Sequence, residues 1–398
     1  MTDSPATPMA LPAALPIGVC PHCGREVPTA NFCGACGADL AHRSPAGARR
    51  HHAYAAFPEE PMLRMAVTSS LFPHLSRHAK STFRAAVGSV VVVLVALAFG
   101  GVEAPAIAVS ALGIPVLYLL YTYEIDDPTR ANLFRAVPVV LVVGAGLGVG
   151  WGLVGGPYVN DALGETLSFS LVRPGALAAA IAVPAVGVVL MTVPAALARL
   201  RAGGLDESLD GLVLGALGAL AFVAASTITE LSSLLSAGQR SEQSFAGILA
   251  EVVIRGLCSP IMAAALIGLF GASLWAVWRS DAPAGRRYLG LPVVPLAAVL
   301  ALEIGCGFAD VARLGDPELL VVHVAALLVA LTIMRVGLHY VLLHEQGTTE
   351  VGPPSVCGHC HFVVPTMHFC PHCGVARRAT ARGHRAAHPP VLEGGERQ

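Results

Sequence analysis

The chain has 398 residues, of which 55% are hydrophobic and only 13% are charged, whereas soluble globular proteins carry about 25% charged residues. This composition excludes an ordinary soluble enzyme and predicts a membrane protein. The formal net charge of −1 provides no strongly basic face, so we do not expect nucleic acid as the main partner. Apolar residues concentrate between about 84 and 343 and both ends are polar, which predicts a membrane core with two soluble ends.

The first predicted element is a small metal-binding ribbon near the N-terminus. Its four cysteines follow the pattern C-x2-C-x9-C-x2-C and are Cys20, Cys23, Cys33 and Cys36. Two C-x2-C turns let four thiolates converge on a tetrahedral zinc ion. Four cysteines fill the coordination sphere, so we expect a structural zinc ion rather than a catalytic one. We interpret residues 17–40 as this ribbon, named ribbon 1, and residues 41–76 as a linker.

Eight stretches in the middle of the chain are long and apolar enough to cross a bilayer, which takes about 20 residues each. They are residues 84–101, 104–122, 134–155, 175–200, 209–235, 257–278, 289–310 and 319–342. The fold class that we predict is an all-α polytopic bundle of about eight transmembrane helices, placed over residues 77–344 and surrounded by membrane lipid. The segment 245–256 could be a short interfacial helix or an extension of the sixth helix.

The orientation follows from basic residues in the connections between these helices. With eight helices, alternate connections share a side, and one set holds most of the Lys and Arg residues. The cytoplasmic side of a membrane protein retains this excess. We therefore predict a multi-pass protein of the bacterial inner membrane with both termini in the cytoplasm.

Glycines recur within two of the predicted helices. The run from Gly144 to Gly152 has alternate glycines but lacks the register of a dinucleotide-binding loop, and no strand precedes it. Gly211, Gly215 and Gly218 follow helical spacing. Both sets predict close packing between helices.

Ionisable side chains inside membrane helices are functional candidates because their burial is costly. They are Glu230, Glu251, Arg255, Glu303, Asp310, His323, Arg335 and His339. Pairing between residues four apart, as for Glu251 with Arg255 and Arg335 with His339, is the simpler interpretation. An alternative is a polar cavity that transports an ion and is lined by Glu303, Asp310 and His323. The lone cysteines 258 and 306 are interpreted as apolar packing residues.

A second cysteine cluster repeats the first near the C-terminus, with the same spacing and similar flanking residues. Its members are Cys357, Cys360, Cys370 and Cys373. We interpret residues 356–376 as a second zinc ribbon, named ribbon 2, after a linker over 345–355 and before a disordered tail over 377–398. Disulfides are the alternative, but such cysteines in a reducing cytosol more often bind metal. The similarity of the two ribbons suggests one platform for a cytoplasmic or membrane protein partner.

Several short stretches occur in an order that resembles a known family. They are Ser-Ser-Leu-Phe-Pro-His-Leu at 69–75, Pro-Val-Leu-Tyr-Leu-Leu-Tyr at 115–121, Asp-Pro-Thr-Arg at 127–130, Leu-Asp-Gly-Leu-Val-Leu-Gly at 209–215 and Ala-Phe-Val-Ala-Ala at 221–225. Together they resemble the PrsW family of intramembrane proteases, which belongs to the superfamily of prenyl-protein proteases. The resemblance implies a bundle of about eight helices that, in active members, cuts a substrate helix within the membrane.

The catalytic pattern of that family is missing from this chain. Active members share a Glu-Glu-x-x-Lys/Arg motif, a Phe-x-x-x-Glu motif and a later histidine. The resemblance carries these groups onto Val186, Gly187, Met191, Ser226 and Ala263. None of these side chains can replace the carboxylates and imidazole as acid, base or metal ligand. We expect a non-catalytic protein; the alternative is a protease with displaced carboxylates at Glu230 or Glu251.

Overall fold

A computed structural model describes most of the chain and divides it into two compact units. The described residues are 16–41, 53–64, 67–73, 77–125, 131–164, 174–201, 205, 207–237, 245–278, 292–312, 314–345 and 350–380. The first unit is Met1–Leu75, Tyr123–Thr129 and Arg335–Gln398, and the second is Ser76–Thr122 and Arg130–Met334. The first unit contains both cysteine clusters, and the second consists of helices.

In the described part of the chain, the long helices follow the predicted apolar stretches, and short helices occur beside them. They are α1 (Val67–Leu71), α2 (Arg77–Phe99), α3 (Glu103–Ile125), α4 (Ala131–Gly164), α5 (Pro174–Arg201), α6 (Ser208–Glu230), α7 (Ser232–Ala237), α8 (Phe245–Val253), α9 (Ser259–Trp278), α10 (Val293–Val311) and α11 (Asp316–His344). A π-helical turn, Ile254–Cys258, joins α8 to α9. The segment 245–256 is therefore an extension of the sixth predicted helix.

Seven helices of the described part of the chain have the length and apolarity of a membrane span. They lie in α3, α4, α5, α6, α8–α9, α10 and α11. The first predicted helix, 84–101, corresponds to α2, whose shorter apolar stretch is Ala85–Leu97. The chain is thus a mostly helical, multi-pass membrane type of protein, as its composition predicts.

Glycines bring three helices into close contact in the second unit. A Cβ atom on Gly144 would lie 2.5 Å from the carbonyl oxygen of Gly218, so α4 and α6 meet backbone to backbone. A Cβ atom on Gly215 of α6 would lie 2.6 Å from the carbonyl oxygen of Ile267 in α9, so α6 and α9 are equally close. Such contacts are favourable in membranes because small residues let the backbones approach. The prediction of small-residue packing is confirmed.

Within its described residues, the first unit has three short antiparallel hairpins. They are β1 (Ile17–Val19) with β2 (Glu26–Pro28), β3 (Ala53–Tyr54) with β4 (Phe57–Pro61), and β5 (Pro354–Val356) with β6 (Val363–Pro365). The first and third pairs belong to ribbons 1 and 2.

The β3–β4 pair and α1 lie inside the stretch 41–76, where the sequence suggested only a linker. This part folds because it buries apolar surface: Tyr54 and Ala56 are fully buried, and Leu71 is nearly so. The stretch suggested as a disordered tail begins with a 3-10 turn, Arg377–Ala379. Residues 381–398 lie outside the described part of the chain.

Candidate metal centres and their attachment

Each cysteine cluster brings four sulfur atoms together. In both clusters the four Sγ atoms all lie within 4.8 Å of one another. The Sγ atoms of Cys20 and Cys36 are 3.9 Å apart, as are those of Cys357 and Cys373. A tetrahedral ion with metal–sulfur bonds of about 2.3 Å has sulfur–sulfur edges of about 3.8 Å. The two sites therefore fit a tetrahedral thiolate metal ion without rearrangement.

In each cluster a tight turn follows the first cysteine and another follows the third cysteine, and these turns bring the sulfur atoms together. The amide of Gly24 donates to the carbonyl of Cys20 over 2.9 Å, and the amide of Gly37 donates to that of Cys33 over 2.8 Å. Gly24 and Gly37 have left-handed backbones, with φ of 70° and 72°, which glycine adopts without a steric penalty. Ribbon 2 repeats both turns. His361 takes the place of Gly24 there, with φ of 60°.

Hydrogen bonds between the clustered thiols lower the pKa of some cysteines and raise the pKa of their neighbours, and the thiolate is the form that binds metal. The Cys36 thiol donates a hydrogen bond that lowers the pKa of Cys33 well below its ordinary value. In ribbon 2, hydrogen bonds from Cys360, Cys370 and Cys373 lower the pKa of Cys357. All ten cysteines are free thiols, so the structure does not contain the alternative disulfides. Four sulfur ligands leave no position for water, which fits a structural ion.

The two ribbons contact each other through equivalent atoms. The amide of Phe32 donates to the carbonyl of Pro371, and the amide of Phe369 donates to the carbonyl of Gly34, both over 2.8 Å. Phe32 is equivalent to Phe369 in the repeated sequence, and Gly34 to Pro371. The contact is therefore reciprocal, like the isologous interface of a symmetric dimer. We call this arrangement the ribbon pair.

Aromatic rings complete this interface. A Cβ atom on Gly37 would lie 3.0 Å from the ring of Phe369, and one on Gly374 would lie 2.7 Å from the ring of Phe32. Met367 of ribbon 2 joins the buried cluster around Cys20 and Cys33. Met367 thus links ribbon 2 to the buried cluster of ribbon 1, whereas the cysteines of ribbon 2 lie in a separate cluster.

The β3–β4 hairpin covers one side of ribbon 2. The amide of Ala376 donates to the carbonyl of Ala55 over 2.9 Å. The Phe57 ring meets the His359 ring edge to face, with centroids 5.4 Å apart. A carboxylate oxygen of Glu59 lies 3.8 Å from His359 Nε2. Ribbon 2 is therefore held both by ribbon 1 and by the hairpin.

A buried arginine fastens the hairpin to the end of α11. Arg335 Nη2 donates to a Glu60 carboxylate oxygen over 2.8 Å, and Nε donates to the carbonyl of Met62 over 2.8 Å. Its Nη1 donates to the Ser69 hydroxyl over 2.8 Å, and its guanidinium lies 4.2 Å from the centre of the Tyr54 ring. Only 2% of the Arg335 side chain is exposed, so the ion pair is well shielded from water.

Glu60 is ionised in this setting. Burial alone would raise its pKa, but hydrogen bonds from Ser69 and Arg335 and the charge of Arg335 together lower it. These partners favour the carboxylate over the neutral acid.

Arg335 and His339, four residues apart on α11, bind separate partners in the N-terminal hairpin. His339 Nδ1 accepts a hydrogen bond from the amide of Ala55 over 3.0 Å, while Arg335 binds Glu60. Each side chain satisfies a polar group of the N-terminal hairpin, which costs less than leaving that group buried without a partner. A local pattern does not reveal such partners, because they lie far away in the sequence.

The remaining intramembrane ionisable residues lie in the second unit. Arg255 Nε is 2.6 Å from the Glu251 carboxylate, so the predicted pairing of these two residues is confirmed. Asp310 lies 3.8 Å from Nε2 of the buried His323. Glu230 is the last residue of α6 and interacts electrostatically with Arg255. Glu303 and Asp310 also interact electrostatically. The lone cysteines 258 and 306 are buried.

The positions onto which the resemblance carries the catalytic groups differ in burial, because Val186 is 45% exposed whereas Met191 and Ala263 are buried. Met191 and Ala263 belong to one buried hydrophobic cluster together with Phe222. The Ser226 hydroxyl donates to the carbonyl of Val223 over 3.0 Å.

Comparison with models of known protein families, with curated proteins and with solved structures finds no match.

Proposed function

We propose that this chain is a multi-pass membrane protein that displays two structural zinc ions in one ribbon pair, which serves as a platform for a protein partner. The observation that carries the proposal is the reciprocal contact between two complete four-cysteine sites from opposite ends of the chain. Ribbons of this size bury little core, so metal binding supplies much of their folding free energy.

Zinc is the metal that suits these sites best. Tetrahedral sites with four thiolates are typical of zinc and of iron–sulfur centres. The sulfur–sulfur separation of 3.9 Å matches a single ion, and the closed coordination sphere leaves no role in catalysis. We therefore propose two structural zinc ions per chain.

The ribbon pair also bears on topology. Ribbons that bind each other lie on the same side of the membrane, so the chain between them crosses an even number of times. The seven spans that meet the length criterion are an odd number, and α2 supplies the eighth. This supports the proposal of eight helices, and the basic excess in one set of connections supports cytoplasmic termini in a bacterial inner membrane.

Topology reporters test this proposal. Reporters fused before Arg77 and after His344 should both show cytoplasmic behaviour, and a reporter inserted at Asn160 should be external. Opposite locations for the two terminal reporters would contradict an even number of crossings and with it the ribbon pair.

We further propose that the bundle derives from a PrsW-like protease and has no proteolytic activity. The buried apolar cluster that contains Met191, Phe222 and Ala263 supports this, because water activation needs a carboxylate or an imidazole. Of the two carboxylates that a displaced catalytic site would use, Glu251 is bound to Arg255. A general base must be within hydrogen-bond reach of the water that it activates, whereas this carboxylate is engaged by the Arg255 side chain.

Co-expression with a library of tethered single-helix reporters tests the absence of proteolysis. We expect the same reporter pattern with the wild type and with the Glu230→Gln, Glu251→Gln double variant. Cleavage that occurs only with the wild type, at equal expression, would establish the displaced-carboxylate protease instead.

The second candidate function is transport of an ion or proton. Asp310 contacts the buried His323, and Glu303 lies on the same helix as Asp310. Acidic and histidine side chains that meet inside a membrane bundle are typical of ion and proton pathways, and this contact favours transport. Proton- or ion-dependent uptake by vesicles that contain the wild type, lost in His323→Ala, would support this function.

A further inference from the structure

The two ribbons have equivalent surfaces, and the structure shows what one of them binds. On ribbon 2 the surface around His359 receives Phe57 and Glu59 of the β3–β4 hairpin. In the repeated sequence His22 of ribbon 1 is equivalent to His359, and both follow the first cysteine of a ribbon by two positions. The pair therefore contains two versions of one recognition surface.

The version on ribbon 1 receives no such hairpin within the described residues. Val19 of β1 is 66% exposed, whereas its equivalent Val356 is partly buried; Ile17 and its equivalent Pro354 are both exposed. Within the described residues, the chain has a single β3–β4 hairpin, and it lies on ribbon 2. The exposed Val19, at a position that is partly buried in ribbon 2, leaves apolar surface on ribbon 1 for a partner.

We propose that ribbon 1 binds an extended segment of a partner protein in which an aromatic residue is followed two positions later by a carboxylate, as Phe57 is followed by Glu59. This inference rests on the proposed function as a binding platform and specifies the chemistry of the partner.

The residues of ribbon 1 suit such a segment. The aromatic ring meets His22 edge to face, as Phe57 meets His359, and the exposed Ile17 and Val19 of the same ribbon offer further apolar surface. The carboxylate lies near His22, as Glu59 lies near His359, and the exposed Arg25 supplies complementary charge.

One difference between the ribbons restricts the partner further. Asp39 of ribbon 1 takes the place of Ala376, whose amide binds Ala55, two residues before Phe57. A carboxylate at that flank of the partner would face Asp39 and be repelled. The partner segment therefore carries its acid after the aromatic residue and not before it.

The hairpin itself provides the probe. A fluorescent peptide with the sequence of residues 53–63, Ala-Tyr-Ala-Ala-Phe-Pro-Glu-Glu-Pro-Met-Leu, is titrated with the full, zinc-loaded chain in detergent or nanodiscs. Saturable binding is expected, with a loss of affinity of about 10-fold in His22→Ala, because a contact worth about 1.4 kcal/mol changes affinity tenfold. Peptides with Phe57→Ala or Glu59→Gln should bind correspondingly more weakly.

A matched variant in ribbon 2 provides the control. His359→Ala should leave peptide binding unchanged, because the chain's own hairpin occupies that surface at the high effective concentration of an intramolecular contact. Ile17→Glu is a second test that lies three residues from the nearest cysteine, and Pro354→Glu is its equivalent in ribbon 2. Only the ribbon 1 variant of each pair should weaken binding.

The outcomes separate this inference from the proposed function. The inference would be overturned if the peptide showed no saturable binding, or if the ribbon 1 and ribbon 2 variants lost equal affinity. If the chain still bound two zinc ions, the proposed function would remain. A chain without zinc would instead overturn the proposed function. Zinc content measured for every variant shows that each altered chain retains its folded ribbons.

Discussion

Ribbon 1 and ribbon 2 have the same cysteine spacing and the same backbone turns, but their surroundings differ. Ribbon 2 contacts ribbon 1, the β3–β4 hairpin and the end of α11, where Nε2 of its His368 lies 3.2 Å from the carbonyl of Leu342. The ribbon 1 contacts described above are all with ribbon 2. The metal site alone therefore does not determine how many other contacts hold a ribbon in place. Ribbon 2 is the structural centre of the first unit, and ribbon 1 is its more exposed copy.

The largest expected effect on stability comes from breaking the ion pair that attaches the β3–β4 hairpin, the neighbour of ribbon 2, to α11. Arg335→Met removes the partner of Glu60 and leaves a shielded carboxylate without its cation, which costs about 3–5 kcal/mol. Hydrogen exchange at the amide of Ala55, which binds His339, should lose about that much protection in nanodiscs. Arg25→Met, at an exposed position of ribbon 1, should change it by less than about 0.5 kcal/mol. Equal, small effects would show that the ion pair does not hold the hairpin.

Substitutions at two left-handed glycines isolate the contact between the ribbons. Gly24→Ala and Gly37→Ala carry the same backbone strain of about 1–2 kcal/mol. Only at Gly37 would the new methyl group lie 3.0 Å from the Phe369 ring, whereas Gly24 has no atom within 4 Å. Gly37→Ala should therefore reduce zinc affinity more than Gly24→Ala, as measured by competition with a chelator. A greater loss in Gly24→Ala would contradict the reciprocal interface.

The cysteine spacing and the hydropathy pattern anticipated most of this architecture. Zinc-type turns depend on residues close in sequence, and membrane spans depend on long apolar runs, so both are local signals. The hairpin was missed because its stability depends on Arg335, which lies far along the chain from Glu60. The reciprocal contact between Phe32 and Pro371 was foreseen only as a hypothesis, since similar sequences do not reveal whether their surfaces meet.

The candidate site residues divide in the same way. The eight cysteines converge as their spacing implies, and Glu251 pairs with Arg255 because four residues make one helical turn. His323 of α11 and Asp310 of α10 lie close together. The sequence alone suggested only that both could line one polar cavity. Arg335 binds Glu60 of the hairpin, which its four-residue spacing from His339 does not reveal.

The rate of metal release should differ between the two ribbons. Cys370→Ser leaves only the ribbon 1 site intact, and Cys33→Ser leaves only that of ribbon 2. Ribbon 2 retains its hairpin and α11 contacts in the second variant, so its ion should leave a chelator-treated chain about 10-fold more slowly, which corresponds to about 1.4 kcal/mol. Equal rates would show that the surroundings of ribbon 2 do not stabilise its metal site.

The smallest expected effect concerns acid pH. Because Glu60 has a lowered pKa in the folded chain, its contribution to stability is complete above its ordinary pKa of 4.5. That contribution is lost as the pH falls through the lower, folded value. The corrected protection of the Ala55 amide should therefore decline below about pH 4.5 in the wild type. Glu60→Gln should start from lower protection and lack this decline, and a decline of equal size in both would assign it to another group.

The count of zinc ions per chain is the most direct test of the account. Native mass spectrometry of the purified full chain should show two zinc ions, and each of the variants Cys33→Ser and Cys370→Ser should show one. A wild-type chain without zinc, with the eight cysteines recovered as four disulfides, would contradict the ribbon pair and the platform that is built on it.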